Sequence, residues 1–189
     1  MLIAYIATGG NQAQTGLAAI GKTLLMDERV SALGLHIEGL GDIIAYDELT
    51  IIAKQLDKGI VAIKVGRSEQ AQTVTVSHTA SLAGSDVGAR AVLKGLGIAR
   101  LESLSEFLEA LKLLHFCAPL AGNSIAPISC SGGEAGLIAD IGLSCDVQFP
   151  KLSEAQKAGL RTVLGSKSHL VIPLVITRIF GVTGRLSGI

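Results

Sequence analysis

Short apolar runs alternate with amphipathic segments through the first third of the chain. Runs of this kind are typical of strands buried on both faces, and they predict strands at residues 2–7, 32–37 and 60–65. Between the runs, apolar side chains recur at helical spacing and predict helices over residues 17–25 and 46–56. Strands that alternate with helices indicate βαβ units, so the chain is predicted to form an α/β fold with a parallel sheet.

The alternation continues in the middle of the chain. Helices are predicted over residues 86–96 and 103–116, and residues 98–100 between them form a candidate edge strand. Ser103 is followed three residues later by Glu106, which predicts a capping box at the start of the second helix.

A segment with proline and glycine then interrupts the pattern. Residues 119–123 are predicted to be a linker, and a second set of elements follows it. That set comprises strands at residues 124–129 and 147–149 and helices at residues 134–141 and 153–164. Residues 165–189 have apolar runs without a clear period, and no element is predicted there.

The composition favours a globular protein with a substantial core. Hydrophobic residues make up 49% of the 189 residues and charged residues 17%, which argues against disorder. The net charge is zero and basic residues do not cluster, so neither nucleic acid nor an anionic membrane is an expected partner. Three cysteines without CxxC spacing, and the absence of a signal-like start, predict free thiols in a cytoplasmic protein.

The loop after residues 60–65 holds the first candidate for chemistry. It contains His78 between the hydroxyl residues Ser77 and Thr79 and reaches Gly84. No second histidine lies at metal-ligand spacing, so no metal site is predicted. No Gly-x-Ser-x-Gly motif is present to make His78 the base of a serine hydrolase. Two interpretations remain open: a nucleophilic imidazole, or a histidine that only forms hydrogen bonds within the loop.

Glu38 is the second candidate, because it directly follows a predicted strand. A carboxylate bonded to one ring nitrogen of a histidine would fix the tautomer and free the other nitrogen for attack. Lys64 and Arg67, at the end of the next strand, could offset phosphoryl charge or simply be solvated. The equally open alternative for Glu38 is an ordinary acid at the end of a strand.

A glycine turn in the second half is the third candidate. Ser131, Gly132 and Gly133 lie between a predicted strand and a predicted helix, where exposed backbone N–H groups can bind phosphate. The turn is neither a Walker A loop nor a complete Gly-x-Gly-x-x-Gly motif, and many α/β turns have a similar sequence.

Five short segments, in their order along the chain, resemble those of the NDP-forming acyl-CoA synthetases. This family is the acetate–CoA ligase (ADP-forming) branch of the succinyl-CoA synthetase superfamily. The most specific segment is Ser-His-Thr-Ala-Ser-Leu-Ala-Gly at residues 77–84. The other four are Thr-Gly-Gly-Asn-Gln, Ile-Glu-Gly, Ala-Ile-Lys-Val-Gly-Arg-Ser and Ser-Cys-Ser-Gly-Gly, at residues 8–12, 37–39, 62–68 and 129–133.

The resemblance implies flavodoxin-like, three-layer parallel sheets in two succinyl-CoA-ligase-like domains, at residues 1–118 and 124–189. It implies that His78 is the phosphohistidine, that Glu38 orients it, and that Ser131, Gly132 and Gly133 seat the phosphate. Ser77, Thr79, Gly84, Lys64 and Arg67 are then candidate supporting residues of the loop.

Compared with the family, the first domain is expected to lack its initial β-α element and the second to be truncated. The CoA-binding and ATP-grasp domains that the family pattern includes have no counterpart in the sequence. CoA, ATP or ADP, and magnesium are therefore implied for the complete enzyme only, with acyl-CoA and phosphate as substrates. Activity of the chain alone is not expected, and oligomerisation is left open. The alternatives are a non-catalytic α/β binding or regulatory module and a truncated, inactive fragment.

Overall fold

The computed structural model describes residues 3–10, 12–71, 73, 85–117, 119–120, 122–129, 131–164 and 170–175. Within these residues the helices are α1 (Leu17–Leu25), α2 (Ile43–Gln55), α3 (Asp86–Gly95), α4 (Leu104–Cys117), α5 (Gly132–Gly142) and α6 (Glu154–Leu164). Residues 69–71 and 73 are also helical. The strands are β1 (Ala32–Ile37), β2 (Gly59–Lys64), β3 (Ala99–Leu101), β4 (Ile128–Ser129) and β5 (Leu174–Val175). None of these helices is both long and apolar enough to span a bilayer.

The chain divides into two compact units, Met1–Leu120 and Ala121–Ile189. Whether they are two succinyl-CoA-ligase-like domains with the limits given above stays a prediction.

The first unit contains a parallel sheet in the order β1-β2-β3. Leu35 pairs with Ala62, and Ala62 pairs in turn with Arg100, so corresponding side chains of the three strands share a face. Helix α2 connects β1 to β2, and α3 precedes β3, as parallel neighbours require. The predicted parallel α/β architecture is confirmed.

Helices cover both faces of this sheet. On one face, buried residues of the strands pack with buried residues of the first three helices in a single core: Leu33, Leu35, Ile37, Ile60 and Ala62 with Ala18, Leu25, Tyr46, Leu49, Ala53 and Leu93. On the other face, Gly34 and Gly59 allow α4 to approach closely, because a Cβ atom there would meet Phe107 and Leu114 at 2.5 and 2.6 Å. The result is a three-layer α/β/α unit.

Local sequence signals account for the helix starts in this unit. Asp42 accepts the Ile44 N–H at 2.9 Å, so α2 begins three residues before the predicted start at residue 46. Ser103 accepts the Glu106 N–H at 3.2 Å while the Glu106 carboxylate accepts the Ser103 N–H at 3.2 Å, which confirms the capping box of α4.

The second unit has less regular structure. Strands β4 and β5 form a parallel pair, in which Ile128 lies opposite Leu174. Helices α5 and α6 confirm the two helices predicted here, at residues 134–141 and 153–164.

Three predicted strands differ from the structure. Residues 3–9 are not in a strand, and Ile3 and Ile6 are 61% and 84% exposed. The strand predicted at residues 2–7 is therefore wrong over its described residues, 3–7. An apolar run forms a strand only where a neighbouring strand pairs with it. The strand predicted at 124–129 is limited to Ile128–Ser129, and that at 147–149 is reduced to one bridge between Gln148 and Ser124.

Candidate functional site

The first candidate residues meet where the strands of the first unit end. β1 ends at Ile37 and β2 at Lys64, and these two residues are register partners. The Val65 N–H donates to the Ile37 carbonyl at 3.0 Å, which continues the pairing by one step. Glu38, which is half-buried, therefore leaves the sheet directly beside the start of the loop that follows β2.

That loop leaves and returns at the same edge of the sheet. It begins after Lys64, includes helical residues at 69–71 and 73, and ends at Ser85. The Ser85 hydroxyl accepts the Gly88 N–H at 3.3 Å and caps α3. Because α3 precedes a parallel strand, its first turn lies at the carboxyl edge of the sheet, where β1 and β2 end. Ser77, His78, Thr79 and Gly84 lie within this loop and outside the described residues.

Lys64 is buried, with only 4% of its surface exposed. Its ammonium group donates a hydrogen bond to the Val65 carbonyl. Burial lowers the pKa of Lys64 below its usual range, and the positive charge of Arg100 lowers it further, whereas the negative charges of Asp86 and Glu38 oppose the shift. The prediction located this lysine at the strand end, but the pattern of the sequence did not show that it is buried.

Arg67 is exposed and paired. Its guanidinium group donates to Glu102, and Arg90 donates to the other oxygen of the same carboxylate at 3.0 Å. Arg67 thus lies near the carboxyl edge of the sheet and shares its acidic partner, Glu102, with Arg90. Gly66, between Lys64 and Arg67, has a φ of +79°, a conformation that glycine adopts without strain.

Two residues at this edge were not predicted. Arg100, on β3, donates to the Asp86 carboxylate at 2.7 Å, and its side chain is 6% exposed. This guanidinium group holds the pKa of Asp86 below its usual range. The sequence did predict a strand around Arg100 and a helix that begins near Asp86. It did not supply the strand register, which brings the two together.

An open cleft of about 740 Å³ runs along β1 on the side away from β2. Its walls are residues 3–10, the first part of α1, β1 itself and α4, and Glu38 lies among the residues that line it. Most of the walls are apolar, so the cleft is poorly suited to an anionic ligand. Near one wall, the Ser31 hydroxyl and His115 Nδ1 are 2.7 Å apart.

The glycine turn of the second unit forms the start of α5. Ser131 is the N-cap residue in an extended conformation, and its side chain makes no capping hydrogen bond. Gly132 and Gly133 are the exposed first two residues of the helix. The Ser129 hydroxyl accepts the Ser131 N–H at 3.1 Å and donates to Glu134 at 2.5 Å. The two glycines are exposed, and first-turn N–H groups have no partner within the helix, as an anion-binding helix start requires.

Across the part of the chain that the structure describes, no three His, Cys, Asp or Glu side chains are close enough to hold a metal ion.

Two known proteins with similar sequences are both ADP-forming acetate–CoA ligases. An acetate–CoA ligase (ADP-forming) from Methanocaldococcus jannaschii is 33% identical over 172 residues, which are 88% of this chain and 23% of that protein. The α subunit of acetate–CoA ligase (ADP-forming) I from Pyrococcus furiosus is 30% identical over 139 residues, 72% of this chain and 29% of that subunit. The chain thus spans about a quarter of the length of these relatives.

A solved structure and a family model agree with these sequences. An acetyl-coenzyme A synthetase from Candidatus Korarchaeum cryptofilum, solved with phosphate and ADP, matches 92% of this chain and 38% of its own with a TM-score of 0.77. At 21% identity this match shows the fold alone. The family model "Succinyl-CoA ligase like flavodoxin domain" matches residues 1–114, more than half of the chain. The chain therefore belongs to the succinyl-CoA-ligase-like flavodoxin domain family, and its resemblance to the ADP-forming acetate–CoA ligases is confirmed.

Proposed function

We propose that this chain is the phosphohistidine-carrying portion of an NDP-forming acyl-CoA ligase. The complete reaction would convert acyl-CoA, phosphate and ADP into acid, CoA and ATP, and it would be reversible. Phosphate displaces CoA to give an acyl phosphate, His78 takes the phosphoryl group as the acid leaves, and ADP then receives it from His78.

The observation that carries the proposal is that Glu38 and both ends of the His78 loop lie at the same carboxyl edge of the sheet. The loop starts beside Glu38, after β2, and ends at the cap of α3 on the same edge. A loop fixed at both ends beside a half-buried carboxylate supports a short-range interaction between Glu38 and His78.

Glu38 has a defined role in this chemistry. Its carboxylate accepts the N–H of one imidazole nitrogen, which leaves the lone pair of the other nitrogen free to attack phosphorus. The same carboxylate stabilises the positive charge that the ring gains on phosphorylation. Glu38 is thus a positioning residue, and His78 is the catalytic nucleophile.

The remaining parts of the reaction are assigned to partners. A CoA-binding domain would hold acyl-CoA, and an ATP-grasp domain or subunit would bind the nucleotide and magnesium. The start of α5, with Ser131, Gly132 and Gly133, would receive the phosphoryl group at one stage of transfer. This division agrees with the chain matching only about a quarter of the length of its relatives.

A labelling experiment tests the proposal. The full chain is incubated with a cognate ATP-grasp subunit and γ-³²P-labelled ATP, and protein-bound label is measured before and after acid treatment. The wild type is expected to gain acid-labile label and His78→Asn to gain none. Glu38→Gln should be labelled about a hundredfold more slowly, because the ring is no longer held in its reactive tautomer.

His36→Asn is the matched control, since His36 is an exposed histidine of β1. It should be labelled like the wild type. Absence of label on a folded wild type with an active partner would contradict the proposal and favour a non-catalytic binding module. Label that persists in His78→Asn would also contradict it.

A further inference from the structure

Two cationic side chains are buried on one face of the first unit's sheet. Lys64 is 4% exposed, and the side chain of Arg100 is 6% exposed. Burying a cation is costly unless charged or polar partners surround it. Two buried cations near each other on one sheet face therefore need a physical explanation.

The strand register makes these two side chains neighbours. Arg100 pairs with Ala62, and Lys64 follows Ala62 by two residues, so all three side chains are on the same face. Lys64 is the last residue of β2, so the pair lies at the carboxyl edge where the His78 loop begins and ends. The Arg100 charge also contributes to the low pKa of Lys64, as expected for close cations.

Lys64 and Arg100 have N–H donors that their hydrogen bonds do not use. Arg100 uses a terminal nitrogen for the Asp86 carboxylate. Its buried Nε makes no hydrogen bond among the described residues, because the Glu102 carboxylate is 3.9 Å away. The hydrogen bond of the Lys64 ammonium group is to a neutral carbonyl, that of Val65, and an ammonium group has three donors. An anion with several acceptor oxygens fits these donors.

The surrounding charges favour such an anion. Four cationic side chains occupy this edge (Lys64, Arg67, Arg90 and Arg100), against three carboxylates (Glu38, Asp86 and Glu102). Asp86 is bonded to Arg100, and Glu102 pairs with Arg67, with Arg90 and, at 3.9 Å, with Arg100 Nε. The four cations exceed the three carboxylates by one charge, which an anion at this edge would balance.

We propose that Lys64 and Arg100 form an anion-binding site that holds a phosphoryl group at the carboxyl edge of the sheet. The Lys64 ammonium group and Arg100 Nε donate to phosphoryl oxygens, as in other charge-assisted phosphate contacts. The site differs from the helix start at residues 131–133, which offers backbone N–H groups. Its assignment to the phosphoryl group of His78 rests on the proposed function, whereas binding of free phosphate does not.

The site is tested by measuring the affinity of the full chain for inorganic phosphate, by titration calorimetry at low ionic strength. The wild type is expected to bind phosphate saturably, and Lys64→Met and Arg100→Met to bind it at least about tenfold more weakly. Lys64→Arg should recover part of the affinity. Lys112→Met is the matched control, because Lys112 is an exposed cation of α4 that pairs with Glu109, and it should change the affinity less than about twofold.

Folding of each variant is checked by circular dichroism. Arg100→Met leaves Asp86 without its partner, so the double variant Arg100→Met, Asp86→Asn removes both charges and serves if the single variant unfolds. Phosphate affinity of Lys64→Met equal to that of the wild type would overturn the proposal. So would a wild type that binds no phosphate, or equal losses in Lys64→Met and Lys112→Met.

The test separates this site from the proposed function. His78→Asn should still bind inorganic phosphate, although it should gain no label from ATP. Loss of binding in Lys64→Met with no labelling of the wild type would support the anion site and reject the phosphohistidine role. Normal labelling with phosphate affinity unchanged in Lys64→Met would reject the anion site alone.

Discussion

At the scale of single residues, Tyr46 shows the cost of a buried polar group. It is 1% exposed in the core of the first unit, and its hydroxyl has no hydrogen-bond partner among the residues that the structure describes. Burial raises the pKa of Tyr46 to about 12, because the phenolate would lose its hydration. A buried donor without a partner costs about 1–3 kcal/mol, a cost that phenylalanine does not have.

We therefore expect Tyr46→Phe to raise the free energy of unfolding by about 1 kcal/mol at pH 7. Above pH 10 the unfolded tyrosine ionises while the folded one stays protonated up to about pH 12. Tyr46 therefore makes the free energy of unfolding of the wild type fall as pH rises from about 10 to about 12. Tyr46→Phe should lack this part of the decrease. Urea unfolding at pH 7 and pH 11 measures both effects.

Tyr5→Phe is the control at pH 7, because Tyr5 is 40% exposed. It should change the free energy of unfolding by less than about 0.5 kcal/mol. A loss of stability of more than about 1 kcal/mol in Tyr46→Phe would show instead that the hydroxyl makes a favourable hydrogen bond.

At the scale of elements, the packing of α4 on the sheet depends on glycine in two strands. A Cβ atom on Gly34 would lie 2.5 Å from Phe107 Cζ and 2.9 Å from Leu111 Cδ1. Gly34→Ala should lower the free energy of unfolding by about 1–3 kcal/mol, because α4 must move away from β1. Urea unfolding followed by circular dichroism measures the change.

Gly95 provides the matched control for this prediction. It is the last residue of α3, and a Cβ atom there would meet nothing within 4 Å. Gly95→Ala should leave stability unchanged or raise it by up to about 1 kcal/mol, since alanine favours the helix. If both variants lost stability equally, contact with α4 would not explain the effect at Gly34.

At the scale of the whole molecule, the apolar core is concentrated in the first unit. Every residue of the main buried cluster belongs to it, from Ala18 to Ile98. In the described part of the second unit, the buried hydrophobic residues are Ala135 and Leu170. Local stability follows the amount of buried apolar surface, so the second unit should open more readily than the first.

Hydrogen exchange of the intact chain, read by mass spectrometry, tests this difference. Amides of α5 and α6 should exchange at least about tenfold faster than those of β2 and α2 at pH 7. The exposed helix α4, which belongs to the first unit, is the internal control and should exchange at a rate nearer to that of β2. Equal protection of the two units would contradict the prediction.

The sequence by itself determined most of the first unit. Apolar runs gave the limits of β1 and β2 to within one residue, and side-chain caps gave the start of α4. These signals are local, because the periodicity of a strand or helix and the bonds of a cap involve residues close in sequence. The family resemblance likewise depended on short segments in a fixed order, so the sequence was sufficient for it.

The tertiary structure alone decided which predicted strands exist and which charges meet. Residues 3–9 have the composition of a strand but no paired neighbour, and pairing depends on residues far away in the sequence. The burial of Lys64 and its proximity to Arg100 follow from the register of β2 and β3, which no local pattern specifies. Sequence therefore determined the elements and the family, whereas long-range pairing decided the electrostatic environment of the candidate site.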